Sequence, residues 1–208
     1  MCAAQPDLAA PRQFIIDKPS FKKEYGISPR HNPSYRQYVR LRVAATSSYP
    51  DLTLHDGVNA QAPVVGVAYI VKFKVGFKIG LGDPTNVSSM IWEDLKSENK
   101  LNSAFGWSME LPLPQDSVTD STNWAACERR SFMWKRTRRV AVDGVSIHAI
   151  SMRNWKLVDD EGKLVAVFTN NISRGQAGTL QMNVDLGDAF EKMALMTLLA
   201  VYERMRRQ

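Results

Sequence analysis

The chain has 208 residues and a net charge of +6, which fits one medium-sized domain with its own hydrophobic core. Hydrophobic residues make up 44% and charged residues 23% of the sequence, close to the globular average, so a largely disordered or fibrous protein is excluded. No apolar run approaches the roughly 20 residues of a membrane-spanning helix. The sequence shows no secretory signal and only two cysteines, Cys2 and Cys127, and it therefore predicts a cytoplasmic protein that can also be peripheral to a membrane.

The N-terminal 35 residues are rich in proline and polar side chains. This composition predicts a loosely ordered arm over residues 1–35, in which residues 14–16 could form a short docked strand. From residue 38 to 43, apolar and basic side chains alternate, as expected of a half-buried strand. We therefore expect the folded domain to span residues 36–208.

Every odd position between residues 65 and 81 is apolar. This period of two predicts either one long strand kinked at Gly66 or Gly76, or two strands that share a barrel corner. Directly after it, Ser88 or Ser89 could cap a short helix that continues to about residue 98.

The strongest local concentration of charge lies between residues 129 and 139. Without its six basic residues, the chain carries 21 basic and 21 acidic residues. One interpretation is a solvated basic strand that pairs with acids from elsewhere. The other is an anion-binding patch, with Trp134 as its aromatic member. The residues predicted for that patch are Arg129, Arg130, Trp134, Lys135, Arg136, Arg138 and Arg139.

The last third of the chain reads as antiparallel strands followed by one helix. Residues 155–168 have the pattern of a hairpin with an acidic turn, and residues 179–184 alternate again. A helix is predicted over about 188–206, and its middle is apolar on every side. A helix of this kind must be buried all round, so we expect a mainly β (α+β) fold, an antiparallel β-barrel that encloses this hydrophobic C-terminal helix. A helix sandwiched between a sheet and a partner chain is the alternative.

Three stretches carry a resemblance to a known superfamily. They are W-K-L-V-D-D-E-G-K-L-V-A-V-F at 155–168, T-L-Q-M-N-V at 179–184 and D-A-F-E-K-M-A-L-M-T-L-L-A-V-Y-E-R at 188–204. Upstream, V-G-V-A-Y-I-V-K-F-K-V-G-F-K-I-G-L-G at 65–82 fits the same pattern of barrel strands, and the resemblance covers about residues 36–208. The chain resembles the tubby C-terminal-like superfamily, which includes tubby domains, LURP-one-related proteins and phospholipid scramblases, and it looks most like fungal members. The resemblance implies a barrel around a central helix. Tubby domains bind phosphoinositide headgroups through basic surface residues, but none of those residues can be aligned here.

No motif for catalysis, metal binding or a cofactor is recognised. The three histidines, His31, His55 and His148, are scattered, without a second ligand at metal-binding spacing. Cys127 stands near two arginines, which can lower the pKa of a thiol, but an inert cysteine is the simpler interpretation. The sequence thus predicts no catalytic residue, no metal and no cofactor.

The leading functional expectation is a non-enzymatic binding protein. Its basic patch would bind an anionic lipid headgroup or membrane surface, in particular one that contains phosphoinositides or other acidic lipids. The alternative is a cofactor-free enzyme of the isomerase or cyclase type, from a fungal small-molecule pathway. A scaffold with no ligand also stays open, as do a small molecule or a protein as partner, and the oligomeric state is not predicted. Nucleic acid is disfavoured, because no standard nucleic-acid-binding motif is present.

Overall fold

The computed structural model describes residues 11–42, 49–71, 76–112, 127–148, 151, 153–171 and 175–207. Within these ranges the chain forms twelve β-strands, a short 3-10 turn (Val87–Ser89) and one α-helix, α1 (Asp188–Arg207). The strands are β1 (Arg12–Lys18), β2 (Glu24–Pro29), β3 (Gln37–Leu41), β4 (Leu52–His55), β5 (Val64–Ile70), β6 (Gly76–Leu81), β7 (Ile91–Ser97), β8 (Ala104–Pro112), β9 (Cys127–Arg136), β10 (Trp155–Asp159), β11 (Leu164–Asn170) and β12 (Gly175–Met182).

The strands form a closed antiparallel barrel in which each strand pairs with its neighbours in the chain. The barrel closes where β1 pairs with β12, from Arg12 opposite Met182 to Lys18 opposite Gly175. Most of the segment predicted as a loose arm therefore belongs to the barrel, and the domain begins before residue 36. The prediction gave too much weight to the prolines, because the described ones, Pro11, Pro19, Pro29 and Pro33, stand at or beside strand ends and in a turn. Residues 1–10 of the predicted arm lie outside the described residues.

Helix α1 fills the interior of the barrel. Its apolar side chains are buried on every side of the helix: Phe190, Met193, Leu195, Met196, Leu198, Leu199 and Val201. They pack in one core cluster with the inward-facing side chains of the strands. The predicted barrel around a buried C-terminal helix is confirmed, because a helix without a polar face has to be surrounded by apolar side chains.

Two local predictions between residues 65 and 98 differ from the structure. Of the two alternatives for residues 65–81, the single kinked strand is wrong. The segment contains two strands, as the other alternative expected, but β5 and β6 pair antiparallel as a hairpin, with Ala68 opposite Ile79, and do not share a corner. The apolar alternation in the sequence runs without a break from residue 65 to residue 81, so period two alone could not reveal where one strand ends and the next begins. Residues 72–75 lie outside the described part. The helix predicted to reach residue 98 is a 3-10 turn followed by β7. Pairing with all six residues of β6 holds this segment as a strand.

The direction of α1 distinguishes the two ends of the barrel. At the end where α1 begins, called the N-end, Arg12 pairs with Glu191 at 3.0 Å. At the end where α1 finishes, called the C-end, Lys18 lies 3.9 Å from Glu203. Because neighbouring strands are antiparallel, successive turns alternate between these two ends. Turns that are distant in sequence are therefore gathered at each end.

Candidate functional site

The predicted patch lies along β9 and the residues that follow it. Side chains of a strand alternate between its two faces, and β9 obeys this rule in its second half. Phe132 and Trp134 are buried in the barrel core, whereas Ser131 and Lys135 are exposed. The seven predicted residues therefore do not form one surface.

Trp134 does not belong to a binding surface. Its side chain is fully buried, and its Nε1–H donates a hydrogen bond to Oγ1 of Thr197 on α1 at 3.0 Å. The prediction that it is the aromatic member of the patch is wrong, because the strand directs it into the core.

Arg129 and Arg130 stand near the N-end, and acids from other strands neutralise them. Arg129 forms an ion pair with Glu93 of β7. Arg130 forms an ion pair with Asp159 of β10 at 2.9 Å, and the Asp159 side chain is only 3% exposed. A buried carboxylate needs such a partner, so Arg130 has a structural role. These two residues match the alternative interpretation of the stretch, a basic strand paired with acids from elsewhere.

The remaining basic residues of the patch lie at the C-end. Arg138 and Arg139 are exposed just after β9. Lys135 is exposed and stands directly opposite Lys156 of β10. The Arg136 guanidinium lies 5.5 Å from the ring centre of Trp155, and its Nη2 contacts Sδ of Met205 near the end of α1. Two cations placed opposite each other destabilise a sheet unless an anion offsets them.

The fold gathers many further cations at the C-end. We define the basic rim as three groups of basic residues at this end. They are those in its turns, those among the two strand residues on each side of a turn, and those in the last turn of α1. Among the described side chains these are Lys18, Lys22, Lys23, Arg40, Arg42, Lys96, Lys100, Lys135, Arg136, Arg138, Arg139, Arg153, Lys156, Arg204 and Arg206. By the same definition, the acids at this end are Asp17, Glu24, Asp51, Glu98 and Asp143, and Glu203 directly precedes the last turn of α1. The Asp143 carboxylate accepts a hydrogen bond from Nε2 of Gln181 on β12.

The N-end has the opposite balance. Its acids, selected in the same way, are Asp56, Asp83, Glu128, Asp159, Asp160, Glu161, Asp185, Asp188 and Glu191. Its bases are Arg12, Arg30, Arg36 and Lys163. The α1 dipole has its positive end among these acids and its negative end among the cations of the basic rim, so the distribution of charge also stabilises the helix.

The β1–β2 turn places an aromatic side chain on the basic rim. Phe21 is 105% exposed and has a φ of 66°, in the left-handed region that a bulky residue seldom adopts. With Lys23, Arg40 and Arg42 it lines a groove of about 860 Å³. Tyr49, which is 70% exposed, also lines the groove, and the Arg42 guanidinium lies 5.6 Å from its ring centre. An aromatic residue surrounded by cations suits the interface of an anionic membrane.

A buried polar network holds α1 in place beneath the basic rim. The Tyr25 hydroxyl donates a hydrogen bond to the Glu203 carboxylate, which also accepts one from Nε of Arg206 at 3.0 Å. Burial, reinforced by the Glu203 charge, raises the pKa of Tyr25 well above its ordinary range. Burial would also raise the pKa of Glu203, but the hydrogen bonds from Arg206 and Tyr25 outweigh it, so this pKa is lowered. The network is fully partnered, which indicates a structural role.

A second cleft, of about 660 Å³, lies on the outside of the barrel where β7 separates from β8. The two strands pair at only two positions among the described residues, Lys96 with Gly106 and Ser97 with Phe105. Glu93 lines the cleft, and burial raises its pKa although Arg129 opposes the shift. Trp107 also lines it, and its buried Nε1–H has no hydrogen-bond partner among the described residues.

The described residues contain no group of three or more His, Cys, Asp or Glu side chains that could hold a metal ion. Nδ1 of His55 lies 2.8 Å from the backbone oxygen of Ala62. Within the same ranges, no helix is both long and apolar enough to cross a bilayer.

Comparison of the chain with protein-family models and with curated protein sequences gave no match.

The sequence analysis missed Phe21, Lys22 and Lys23, because it assigned them to a loose arm. A usable signal was present: a phenylalanine followed by two lysines in a short polar stretch between two apolar alternating segments. Recognition of residues 12–18 and 24–29 as strands would have placed these residues at the tip of a turn.

Proposed function

We propose that this protein binds an anionic surface reversibly through the basic rim, most favourably a membrane surface that contains acidic lipids or phosphoinositides. One observation carries the proposal: the turns and strand ends at the C-end are strongly basic, whereas those at the N-end are acidic. A net charge of +6 spread evenly would attract anions weakly, but charge segregated to one end orients the molecule toward them.

The available attraction is sufficient for reversible binding. Each Lys or Arg close to an anionic membrane contributes about 1 kcal/mol. Several rim residues, among them Lys23, Lys135 and Arg139, have no ion-pair partner among the described residues. Contact by five or six such side chains therefore gives useful affinity without a lipid anchor. The cytoplasmic leaflet, with its acidic lipids, is the surface that this charge distribution favours.

The resemblance to the tubby C-terminal-like superfamily supports the same proposal, since tubby domains bind phosphoinositide headgroups. The basic rim rests on the charges of this chain and not on an alignment with tubby domains. It keeps Lys135, Arg136, Arg138 and Arg139 of the predicted patch and leaves out Arg129, Arg130 and Trp134.

Co-sedimentation with vesicles tests the proposal. Wild-type protein is mixed with neutral, phosphatidylserine-containing and phosphoinositide-containing vesicles at low and high salt. We expect binding to the anionic vesicles alone, falling steeply as salt rises. The Lys23→Gln/Arg139→Gln variant should bind roughly tenfold more weakly or worse. The control Arg30→Gln/Lys163→Gln removes two cations at the N-end and should change binding little; equal losses in both variants would contradict a role for the basic rim.

A second candidate function, small-molecule chemistry, rests on the cleft beside β7. There a carboxyl group with a raised pKa, that of Glu93, lies near two tryptophans, Trp92 and Trp107. Raised carboxyl pKa values are typical of general acids and bases. A thermal-shift screen with small metabolites tests this: a compound that stabilises the wild-type protein but not Glu93→Gln supports the candidate. Equal stabilisation of both proteins would exclude a role for Glu93.

A further inference from the structure

We propose that Phe21 inserts into the interfacial region of an anionic lipid bilayer, so that the barrel docks end-on with its C-end against the membrane. This inference rests on the proposed function for its charges. It adds a specific apolar contact, which does not follow from charge alone, at the end of the barrel that the charges direct toward the membrane.

Phe21 has no role in the core that would explain it. Its side chain is 105% exposed, so folding buries none of its apolar surface. Its φ of 66° is a backbone conformation that costs free energy for a bulky residue. A chain that needed only a tight turn here would be served better by glycine or asparagine. The exposed ring is therefore explained by a partner that offers an apolar phase.

The surroundings of Phe21 identify that partner by charge. Lys23, Arg40 and Arg42 line the same groove, and the acid among its lining residues, Glu24, already pairs with Lys22 at 3.2 Å. The groove therefore retains an excess of positive charge. An apolar side chain flanked by cations matches the boundary between anionic headgroups and acyl chains.

A second apolar side chain at the C-end favours a bilayer over nucleic acid. Leu101, in the turn between β7 and β8, is 81% exposed. Unpaired bases stack well on aromatic rings and on arginine, whereas an aliphatic side chain provides no such surface. Phe21 and Leu101 stand at the same end of the barrel, where α1 finishes. Insertion of that end turns the α1 axis toward the membrane normal.

Fluorescence quenching by brominated acyl chains tests insertion directly. The Phe21→Trp variant is mixed with phosphatidylserine-containing vesicles whose acyl chains carry bromine. Val87→Trp is the matched control, because Val87 is 61% exposed in a turn at the N-end. We expect quenching beyond the wild-type level for Phe21→Trp and none for Val87→Trp. Extra quenching of neither variant, or of both, overturns end-on docking.

Binding measurements separate this inference from the proposed function. At moderate salt, Phe21→Ser should partition onto anionic vesicles about tenfold more weakly than the wild type, and Val87→Ser equally well. If wild-type protein binds no vesicle, the proposed function fails and this inference fails with it. If Phe21→Ser binds like the wild type, the proposed function stands and insertion is overturned.

A soluble probe provides the last comparison. Both proteins are titrated with a soluble inositol phosphate and with a single-stranded oligonucleotide. Equal affinities of wild type and Phe21→Ser for these probes, together with the loss on vesicles, support contact with acyl chains. A matching loss on the oligonucleotide shows that Phe21 stacks on bases and overturns the bilayer assignment. Urea unfolding of Phe21→Ser confirms that the variant folds.

Discussion

The indole N–H of Trp134 on β9 donates a hydrogen bond to the hydroxyl of Thr197 in the middle of α1, with 3.0 Å between Nε1 and Oγ1. Both residues are fully buried. The Thr197 Oγ1 also lies 2.8 Å from the carbonyl oxygen of Met193, to which it can donate. The bond therefore links the barrel wall to the helix at its centre and satisfies a polar group that the core would otherwise leave unpaired.

Replacement of Thr197 should show how much this hydrogen bond contributes to the stability of the fold. Thr197→Val keeps the size of the side chain but leaves the buried Trp134 N–H without an acceptor, so the free energy of unfolding should fall by about 1–3 kcal/mol. Equilibrium unfolding in urea measures the change. In a Trp134→Phe background the same substitution should cost clearly less. An equal cost in both backgrounds would show that the hydrogen bond contributes nothing.

The ion pairs of Arg129 and Arg130 predict an effect on stability but not on membrane binding. Arg130→Gln removes the partner of the buried Asp159 carboxylate and should lower the free energy of unfolding by about 1–3 kcal/mol. Arg129→Gln/Arg130→Gln should bind anionic vesicles within about twofold of the wild type, because both residues lie away from the basic rim. If this variant has a native circular dichroism spectrum but binds vesicles much more weakly, Arg129 and Arg130 do belong to the binding surface, as the sequence predicted.

The Tyr25–Glu203–Arg206 network predicts a loss of stability in acid. The folded protein holds the Glu203 pKa below its ordinary value of 4.5, so the unfolded chain takes up a proton first as pH falls. The stabilisation is therefore complete above that ordinary value and disappears as pH falls through the folded pKa. Urea unfolding at several pH values measures this change. As pH falls, the free energy of unfolding should decrease less for Glu203→Gln than for the wild type.

Glu191 provides a control of opposite sign for this experiment. Burial raises its pKa, so its contribution to stability decreases as pH rises through the region above 4.5. Glu191→Gln should therefore lose stability at low pH as the wild type does. If Glu203→Gln and Glu191→Gln change the pH profile in the same direction, the pKa shifts assigned to the two carboxyl groups are not the cause.

Two glycines on neighbouring parts of the barrel wall predict opposite responses to alanine. A Cβ at Gly178 would overlap the carbonyl oxygen of Thr169 and the ring of Phe168. Neither can move without disturbing the pairing of β11 with β12, so Gly178→Ala should lose about 1–3 kcal/mol of stability. At Gly26 the nearest atom to such a Cβ is 3.9 Å away, and Gly26→Ala should be nearly neutral. Thermal unfolding of both variants checks the pair; similar melting temperatures would show that the wall is not tightly packed at Gly178.

Patterns of apolar residues predicted the architecture well where the pattern was long and unambiguous. The apolar middle of α1 required a surrounding sheet, and the hairpin at residues 155–168 is formed by β10 and β11. The same patterns failed where two structures share one pattern. Alternation over residues 65–81 is compatible with one strand or with a hairpin, and only the pairing of Ala68 with Ile79 distinguishes them.

The sequence by itself predicted a β-barrel around an apolar helix, because a helix that is apolar on every side has to be buried on every side. The structure decided for the barrel and against a helix held between a sheet and a partner chain. It also determined a net positive charge with a dense basic stretch at residues 129–139. Only the tertiary structure decided which cations share a surface. Strand alternation buries Trp134, cross-strand acids neutralise Arg129 and Arg130, and the antiparallel order of the strands brings Phe21 and Lys23 to the same end of the barrel as Arg139. The local pattern of apolar and charged residues does not show which residues distant in sequence come together in the fold.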